Sequence, residues 1–579
     1  MHNFDNTISL FRFQILYLKY CWGFILGELL AIFIYSGVSL YIPVISANIL
    51  GKGGIDPHHW LIFMSLLILF IISSSMRYYF ATMVGERMIL FMQRDIVAKI
   101  IKYSPSFFNS RSHGEIFSTL VKDAERIKTT VGISMSIILR NSMVGIGALY
   151  MMFLSSIYLS LIVVSIVCIV LFLFVISLKF KRNKINHHST NEKKLLDIFS
   201  DIIKSVMVLQ SFNAGEKAIK LYNMQSQNTY KSFLKITLVR TCVVCFVVCS
   251  LSFSLYVVFL FGAHYIIISG MSGGKLGKFL YYTFLFLGTI RSSSGFIGGI
   301  LQAISSLQRF RDLMVCKLDI VSPTPYKTFS SPVLGSISFN NVSFLYPGES
   351  KRSVLKNINF TVLPGQTIAL VGNSGAGKTS IFSLILRFYD PSSGNIKLEG
   401  IDLTDLSLEE IRRSITWVPQ NPIIINASVH DNIAIGLPNA NREAVQNAAT
   451  IAQAHEFIIC MDKGYDTILG NHAFNLSAGQ IQRIAIARAI LKDSPILLLD
   501  EMGSALDIKS EQKILKVLRE KRKGKTTIFA SHRLSTIQNG DIVFLINNQV
   551  IVEKGIHEDL LKDSSLYARY RSGVLCQSI

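Results

Sequence analysis

Hydrophobic and polar positions along this chain fall into two regimes that meet near residue 321. In the first, long apolar runs predict membrane-crossing helices over about Trp22–Leu50, Trp60–Ala81, Ser134–Leu154, Ile157–Leu178, Ile236–Ile268 and Phe279–Ile304. Each run reaches the ~20 residues that a helix needs to cross a bilayer. Their connections alternate in length. Gly51–His59 is short and almost nothing separates Leu154 from Ile157, whereas Val84–Thr130 and Lys179–Lys235 are long, polar and helical in pattern. Met1–Tyr20 is mixed in polarity and has no small-residue cleavage site before the apolar run, which argues against a removable signal peptide.

Beyond residue 321 the period changes. Pro323, Pro325 and Pro332 mark a linker over 322–336. Ile337–Phe344 and Val354–Val362 then alternate as half-buried strands do, while Thr367–Val371 and Ile496–Leu499 are unbroken apolar runs typical of buried strands. Helical patterns come after each of the key loops, over Ser380–Phe388 and Ile484–Leu491.

Composition sharpens this picture. With 579 residues the chain is too long for one core, and the excess in its 50% hydrophobic content sits almost wholly before residue 305. The formal charge of +21 raises nucleic acid as a partner. Yet there is no basic tail, and the cations flank the apolar spans, so membrane topology accounts for them better and no nucleic-acid partner is expected. The long connections carry Arg87, Arg94, Lys99, Lys102 and Arg111, then Lys181, Arg182, Lys184, Lys193 and Lys194, against only Lys52, Lys275 and Lys278 in the short ones. The positive-inside bias predicts both long loops, both termini and the second regime in the cytoplasm. Among the 8 cysteines, Cys242, Cys245 and Cys249 share a helix face but lack supporting His or carboxylate, so buried apolar thiols explain them better than a metal site.

The chemistry is concentrated in the second regime. Gly372, Asn373, Ser374, Gly375, Ala376, Gly377, Lys378 and Thr379 spell G-x-x-x-x-G-K-[ST] between a strand run and the helix opening at Ser380. In that setting backbone N–H groups and a helix N-terminus face a triphosphate, Lys378 reaches its β- and γ-phosphates, and the Thr379 hydroxyl ligates Mg²⁺. ATP and Mg²⁺ are therefore the expected cofactors. Asp500, ending the strand run Ile496–Leu499, is placed to hold Mg²⁺ through water, and Glu501 to polarise the attacking water. Tyr346, in a Tyr-Pro turn upstream, offers a face on which adenine could stack. Ser477, Ala478 and Gly479 form a second small-residue turn at a helix N-terminus. One γ-phosphate does not need two such cradles, so two copies pairing head to tail, each lending this turn to the other, resolves the duplication. The expected architecture is a membrane α-helical domain of six transmembrane helices (1–321), joined by the linker to a cytoplasmic α/β P-loop ATPase domain (337–579).

The set GNSGAGKT, Gln420 in WVPQNP, LSAGQ with Gln480, ILLLDE, SALD ending in Asp507 and His532 in ASHRLS resembles the cassette of ATP-binding cassette (ABC) transporters. Six spans ahead of the cassette resemble a half-size bacterial exporter, similar to the lipid A and multidrug group. The resemblance implies that Gln420 senses the γ-phosphate, ligates Mg²⁺ and couples to the membrane domain. It implies that His532 contacts the γ-phosphate and that Asp507 lies at a dimer interface. Ser106–Ile127 is similar to the first cytoplasmic loop of exporters, with Gly114 and Glu115 preceding a short coupling helix. Asp197–Glu216 is similar to the second, with its coupling helix near Val208–Phe212. The chain departs from the family pattern at Gly470–Ala473, where relatives usually read G-E-R-G. It departs again at Met502–Gly503, where relatives tend to have Ala-Thr.

Charges inside the spans bear on the cargo. Glu28, Arg140 and Arg291 are costly in hydrocarbon, so they either line a cavity or pair helices, and both readings stand. Arg140 and Arg291 occupy places similar to basic residues that grip lipid A phosphates in lipid A flippases. The expectation is a homodimeric, ATP-driven exporter or flippase of a lipid-like or hydrophobic amphipathic substrate in the bacterial inner membrane. Alternatives are a membrane-tethered ATPase that regulates a partner, or one half of a heterodimeric multidrug or peptide exporter.

Overall fold

The computed structural model describes residues 10–51, 57–111, 113–269, 273–348, 353–470, 476–504, 506–531, 533–562 and 566–571. Contacts divide the chain into two compact units, one of residues 1–99 and 114–316, the other of 100–113 and 317–579.

In chain order the helices up to residue 316 include α1 (Trp22–Gly51), α2 (Pro57–Ile100), the short α3 (Pro105–Ser110), α4 (Met135–Ser155), α5 (Ile157–Lys204), the short α6 (Val206–Ser211), α7 (Gly215–Ser269) and α8 (Gly273–Val315). Each expected span lies on one of the long helices, and the helices run on into the polar stretches without a break. Four apolar helical stretches among the described residues are long enough to cross a membrane: Phe13–Ser46, Trp60–Ile100, Gly114–Ser155 and Val244–Phe261. In α8, Thr283, Thr289, Arg291, Ser292 and Ser293 dilute the apolar run.

The outside of this unit is apolar, with Leu61 69% and Ile146 71% exposed. Such a surface is stable only against lipid or protein. Inside, small polar residues pack between helices, among them Ser136, Ser160 and Thr283, all fully buried. Ser160 Oγ and Thr283 Oγ1 donate to the carbonyls of Ser156 and Phe279 at 2.7 and 2.8 Å, so their hydroxyls are satisfied one turn back. The helical run before α4 contains two π-helical turns, Thr119–Asp123 and Thr130–Ser134. At the first of them Asp123 accepts two 2.6 Å bonds from the Arg309 guanidinium and one of 2.8 Å from Ser306.

The second unit holds two sheets. Strands β1 (Ile337–Phe344), β2 (Leu355–Val362), β3 (Thr367–Gly372), β4 (Ser393–Leu398), β5 (Ile401–Asp402), β6 (Ile415–Val418), β7 (Ile496–Asp500), β8 (Thr526–Ala530), β9 (Ile542–Asn547) and β10 (Val550–Gly555) come in that order. An antiparallel sheet runs β2-β1-β4-β5, and a larger one runs β10-β9-β3-β8-β7-β6. In the larger sheet β9, β3, β8, β7 and β6 are parallel and β10 closes one edge antiparallel. Its central strands are buried at nearly every position, as a parallel sheet covered on both faces requires. One face packs on the small sheet through Phe360, whose ring lies 4.4 Å from that of Phe339 and 5.1 Å from that of Phe544. The same face carries helix α9 (Lys378–Ile385), whose Ile381, Phe382 and Ile385 join that core, and the other carries α10 (Ala478–Lys492) and α11 (Ile508–Lys521) among its cover, with Ile484, Ile486, Ile514 and Leu515 in a second core cluster.

Two expectations about local structure change. The helix expected over Ser380–Phe388 starts at Lys378 and ends at Ile385, because Arg387 turns into the left-handed region (φ 49°). The short helix of the first long polar connection is α3, which precedes Gly114 and Glu115 instead of coming after them; from Gly114 onward the chain is already in the long run into α4. Pro105 at the first turn starts α3 with its φ already set for a helix. The boundary also differs from the expected 321/322. Ile100–His113 and the residues from Lys317 belong with the second unit, where Ser104 Oγ and Ser106 Oγ donate to Asp319 at 3.1 and 2.5 Å. The short helix expected near Val208–Phe212 is α6, and its Met207 and Phe212 are 82% and 79% exposed.

Phe360 links its cross-strand partner Phe339 within the small sheet to Phe544 of the large one. Phe360→Ala is expected to destabilise the second unit by about 3–5 kcal/mol, read as a lower melting temperature of the full-length protein with the membrane unit's helix content unchanged.

Candidate functional site

The phosphate loop leaves β3 at Gly372 and enters α9 at Lys378. The turn is built on Gly375 and Gly377 at φ 81° and 103°, a region that only glycine occupies without strain. A Cβ on Gly377 would also stand 2.6 Å from Leu355 Cδ2. Gly377 caps α9 and frees its first N–H groups toward the loop.

Lys378 is only 6% exposed. Its Nζ donates to the carbonyls of Gly372 (2.7 Å) and Asn373 (3.1 Å) and lies 3.8 Å from Glu501 Oε1. Burial lowers its pKa, and the carboxylates of Glu501 and Asp500 oppose that shift. Phosphate oxygens would compete with those two carbonyls for the ammonium. Asp500 ends β7 at 2% exposure and is hydrogen-bonded to Thr379, whose side chain is exposed. Glu501 comes next, in the left-handed region (φ 46°), pinned by its N–H to Ala530 O at 3.0 Å. Its carboxylate accepts from Gln420 Nε2 at 2.6 Å. Backbone strain at a residue with this role matches the pattern of functional sites.

The structure thus brings together Lys378, Thr379, Gln420, Asp500 and Glu501. Their oxygen donors, the Thr379 hydroxyl, the Gln420 amide oxygen and the Asp500 carboxylate, fit the hard-oxygen preference of Mg²⁺. Tyr346 is half-buried, with its hydroxyl 2.9 Å from Ser380 Oγ and its ring edge-on to Tyr389 at 5.2 Å. Asn109 of α3 donates to the Tyr389 hydroxyl at 3.4 Å, so the short helix reaches the same aromatic pair.

The second turn stands on its own helix. Ser477 caps α10, its Oγ accepting from Gln480 N (3.2 Å) while its N–H donates to Gln480 Oε1 (2.9 Å), a reciprocal box. Ser477 and Ala478 are exposed and Gly479 is half-buried. Asp507 caps α11 by accepting from Ser510 N at 2.9 Å, and that bond, with the Ser510 side chain, holds its carboxyl below the ordinary value. His532 and Asn471–Ala473 lie outside the described residues.

In the membrane unit, Glu28 is 7% exposed and shares the buried Ser136 hydroxyl with Arg77, which donates to it at 2.9 Å. Arg77 is itself 7% exposed and was not among the expected residues, although a charge inside the span Trp60–Ala81 marks it as Glu28 is marked. Arg140 stands 5.4 Å from the Tyr35 ring and donates twice to Asn141 Oδ1, at 3.1 and 2.7 Å. Asn141 in turn donates to Ser292 and Ser293 at 2.7 and 2.9 Å, beside Arg291, which is exposed.

Comparison with known proteins places residues 355–504 in the family "ABC transporter" and residues 22–290 in "ABC transporter transmembrane region". The ATP-dependent lipid A-core flippase of Wigglesworthia glossinidia brevipalpis is 31% identical over 505 residues, covering 85% of this chain and 84% of that protein. That of Acinetobacter baylyi is 29% identical over 563 residues, 95% and 96% of the two chains. ABC transporter B family member 1 of Dictyostelium discoideum is 32% identical over 507 residues, and there the chain spans 55% of the relative's length. A solved bacterial Atm1-family ABC exporter with ATP bound shares the fold, with TM-score 0.84 at 23% identity over 96% of this chain and 99% of that one.

Burial raises the Asp500 carboxyl above its ordinary 3.8, with the Thr379 hydrogen bond opposing it. A carboxyl raised in this way costs stability only where it is ionised: the cost is complete above the raised value and gone below the ordinary one. Asp500→Asn is therefore expected to raise the melting temperature of the nucleotide-free protein at about pH 7 and to lose that advantage toward about pH 4. Thermal unfolding of both proteins across that range checks the sign; a variant less stable than the wild type at neutral pH contradicts it.

Proposed function

This chain belongs to the ABC transporters, and from that premise we propose that two copies of it form an exporter that flips an amphipathic, anionic glycolipid of the lipid A type across the bacterial inner membrane. The chain binds ATP, and its hydrolysis is coupled to export or flipping across the membrane. The observation that carries the catalytic reading is the meeting of Gln420, Asp500, Glu501 and Lys378 at the mouth of the parallel sheet.

Lys378 gives up its bonds to Gly372 O and Asn373 O to the β- and γ-phosphates, and Tyr346 stacks on the base. Thr379, Gln420 and, through water, Asp500 would hold Mg²⁺, which would supply neutralisation of the phosphate charge. Glu501 orients water and accepts its proton. Because Gln420 holds the Glu501 carboxylate, a change at that carboxylate is felt in the chain around Gln420. The exposed Ser477–Gly479 turn is lent to the nucleotide of the second copy, with Asp507 at the seam. The bare apolar tip of α6, Met207 and Phe212, supports a second copy as its cover.

Six helices span the bilayer, with both termini and the cassette in the cytoplasm, as the cation bias of the long loops supports. Arg77 and Arg140, gathered with Glu28 around Ser136, Tyr35 and Asn141, supply the cationic lining for a phosphorylated headgroup. The names of the flippase relatives point the same way.

ATPase activity of the protein in nanodiscs, with and without lipid A-type glycolipid, tests this. The expected result is stimulation by the glycolipid, a fall of about a hundredfold or more in Glu501→Gln, and loss of stimulation with basal turnover retained in Arg77→Ala and Arg140→Ala. A robust basal rate that no glycolipid changes overturns the substrate, and its persistence in Glu501→Gln overturns the catalytic assignment.

A further inference from the structure

Behind the site sits a buried carboxylate that none of the roles above uses. Glu511, on the first turn of α11, is 1% exposed. Its Oε2 accepts from Arg533 Nη1 at 2.6 Å, and its Oε1 accepts from the hydroxyl of Thr536, which is also buried. The same Arg533 nitrogen donates to Leu506 O at 3.2 Å. The Glu511 N–H donates to Asp507 O at 3.0 Å. Leu506 and Asp507 are thus held at their two carbonyls, one by the Arg533 side chain and one by the Glu511 backbone. Arg533 is also fixed at its own backbone, where its N–H donates to Ser531 Oγ at 3.0 Å, and the Ser531 N–H donates to Leu370 O at 3.2 Å. Leu370 lies on β3, two residues before the phosphate loop.

Gly503 makes the arrangement possible. A Cβ at that position would stand 2.5 Å from Glu511 Oε1 and 2.6 Å from its Cδ, with Oε2 at least as close. No real side chain tolerates such contacts, so any larger residue at 503 must displace the carboxylate. The departure at Met502–Gly503 is therefore paired with the ion pair behind it, while Met502 fills the neighbouring core at 3% exposure.

We propose that Glu511 is a positioning residue that locks the Asp507 loop and the loop leaving β8 into one element, and that Gly503 is the space this lock requires. A carboxylate this deeply buried is stable only while its charge-assisted bonds are made, so the lock is either closed on both loops or broken on both. Neither Glu511 nor Gly503 touches the nucleotide residues Lys378, Thr379 or Tyr346 in any of these bonds. The lock acts on the loops that must meet the second copy, and so on turnover, with ATP affinity spared. Its kinetic arm rests on the ATPase reading above; its structural arm does not.

The test uses the full-length protein. Hydrogen–deuterium exchange without nucleotide is expected to speed up over both Met502–Asp507 and Ser531–Ile537 in Gly503→Ala and in Glu511→Gln. Exchange that changes in only one segment, or in neither, overturns the lock whether or not the protein hydrolyses ATP. In ATPase assays each single variant is expected to lose about tenfold in kcat with KM for ATP within about twofold. The double variant should be no slower than the slower single one, because both act through one carboxylate. Multiplied losses of about a hundredfold, or unchanged kcat in both singles, overturn it. Should Glu511→Gln fail to fold, Thr536→Val removes one bond and keeps the ion pair, and a kcat loss of about threefold with unchanged KM is then the expected reading. A wild type without ATPase activity overturns the transporter reading and leaves the exchange result to decide the lock.

Discussion

A lysine ammonium buried at the end of a parallel strand is the constraint around which the cassette is arranged. A charge so nearly removed from water is tolerated only if oxygens surround it. Here the nearest are main-chain carbonyls of the loop itself, with Glu501 a little further off. Those carbonyls can point inward only because two glycines turn the loop left-handed, and the loop can stand there only because five parallel strands bring their C-terminal ends to one edge. An anion of higher charge density than a peptide carbonyl is a better partner for that ammonium. The fold therefore holds a cation in a state of incomplete satisfaction at the place where phosphate would arrive.

The membrane unit solves the same problem with a different solvent. Its exterior is hydrocarbon-like, so its polar groups turn inward or bond to the preceding helical turn. Most do so in small units, a serine or threonine hydroxyl on a carbonyl. Larger groups include Asp123 with Arg309 and Ser306, and the gathering of Arg77, Glu28 and Arg140, where three charges meet around one serine, one tyrosine ring and one asparagine. With two cations to one anion, the group keeps a net positive character that helix pairing alone does not require.

Much of this was legible in the sequence because it is local. The phosphate loop, the strand ending at Asp500 and the cap at Ser477 each occupy a handful of consecutive residues, and their side chains act within a turn or two. The long apolar helices were legible for a similar reason, since hydropathy is summed over one helix. What escaped depends on residues far apart in the chain. Tyr389 and Asn109 meet across 280 positions, and Glu511 reaches Arg533 and Thr536 from a different helix. The start of α9 shifted because the loop's N–H groups are part of the helix, while its end was set by a backbone turn at Arg387 that no periodicity announces. Arg77 is a different case. It stands inside an expected span and was visible there, but it sits near the polar end, where a long cation is easily taken for one that reaches water.

The short helix α3 has a consequence for the order in which this protein can be made. Tyr103 and Phe107, stacked at 4.1 Å and both buried, belong to the compact unit whose remainder begins at Lys317. Ser104 waits 215 positions for Asp319, and Asn109 waits 280 for Tyr389. On the ribosome, where domains fold from the N-terminus onward, this segment emerges long before anything exists for it to bury against. The cassette is thus not a bead threaded after a finished membrane domain. It closes by recovering a piece of chain already anchored between two membrane helices, and a polypeptide starting at the linker would leave that piece behind.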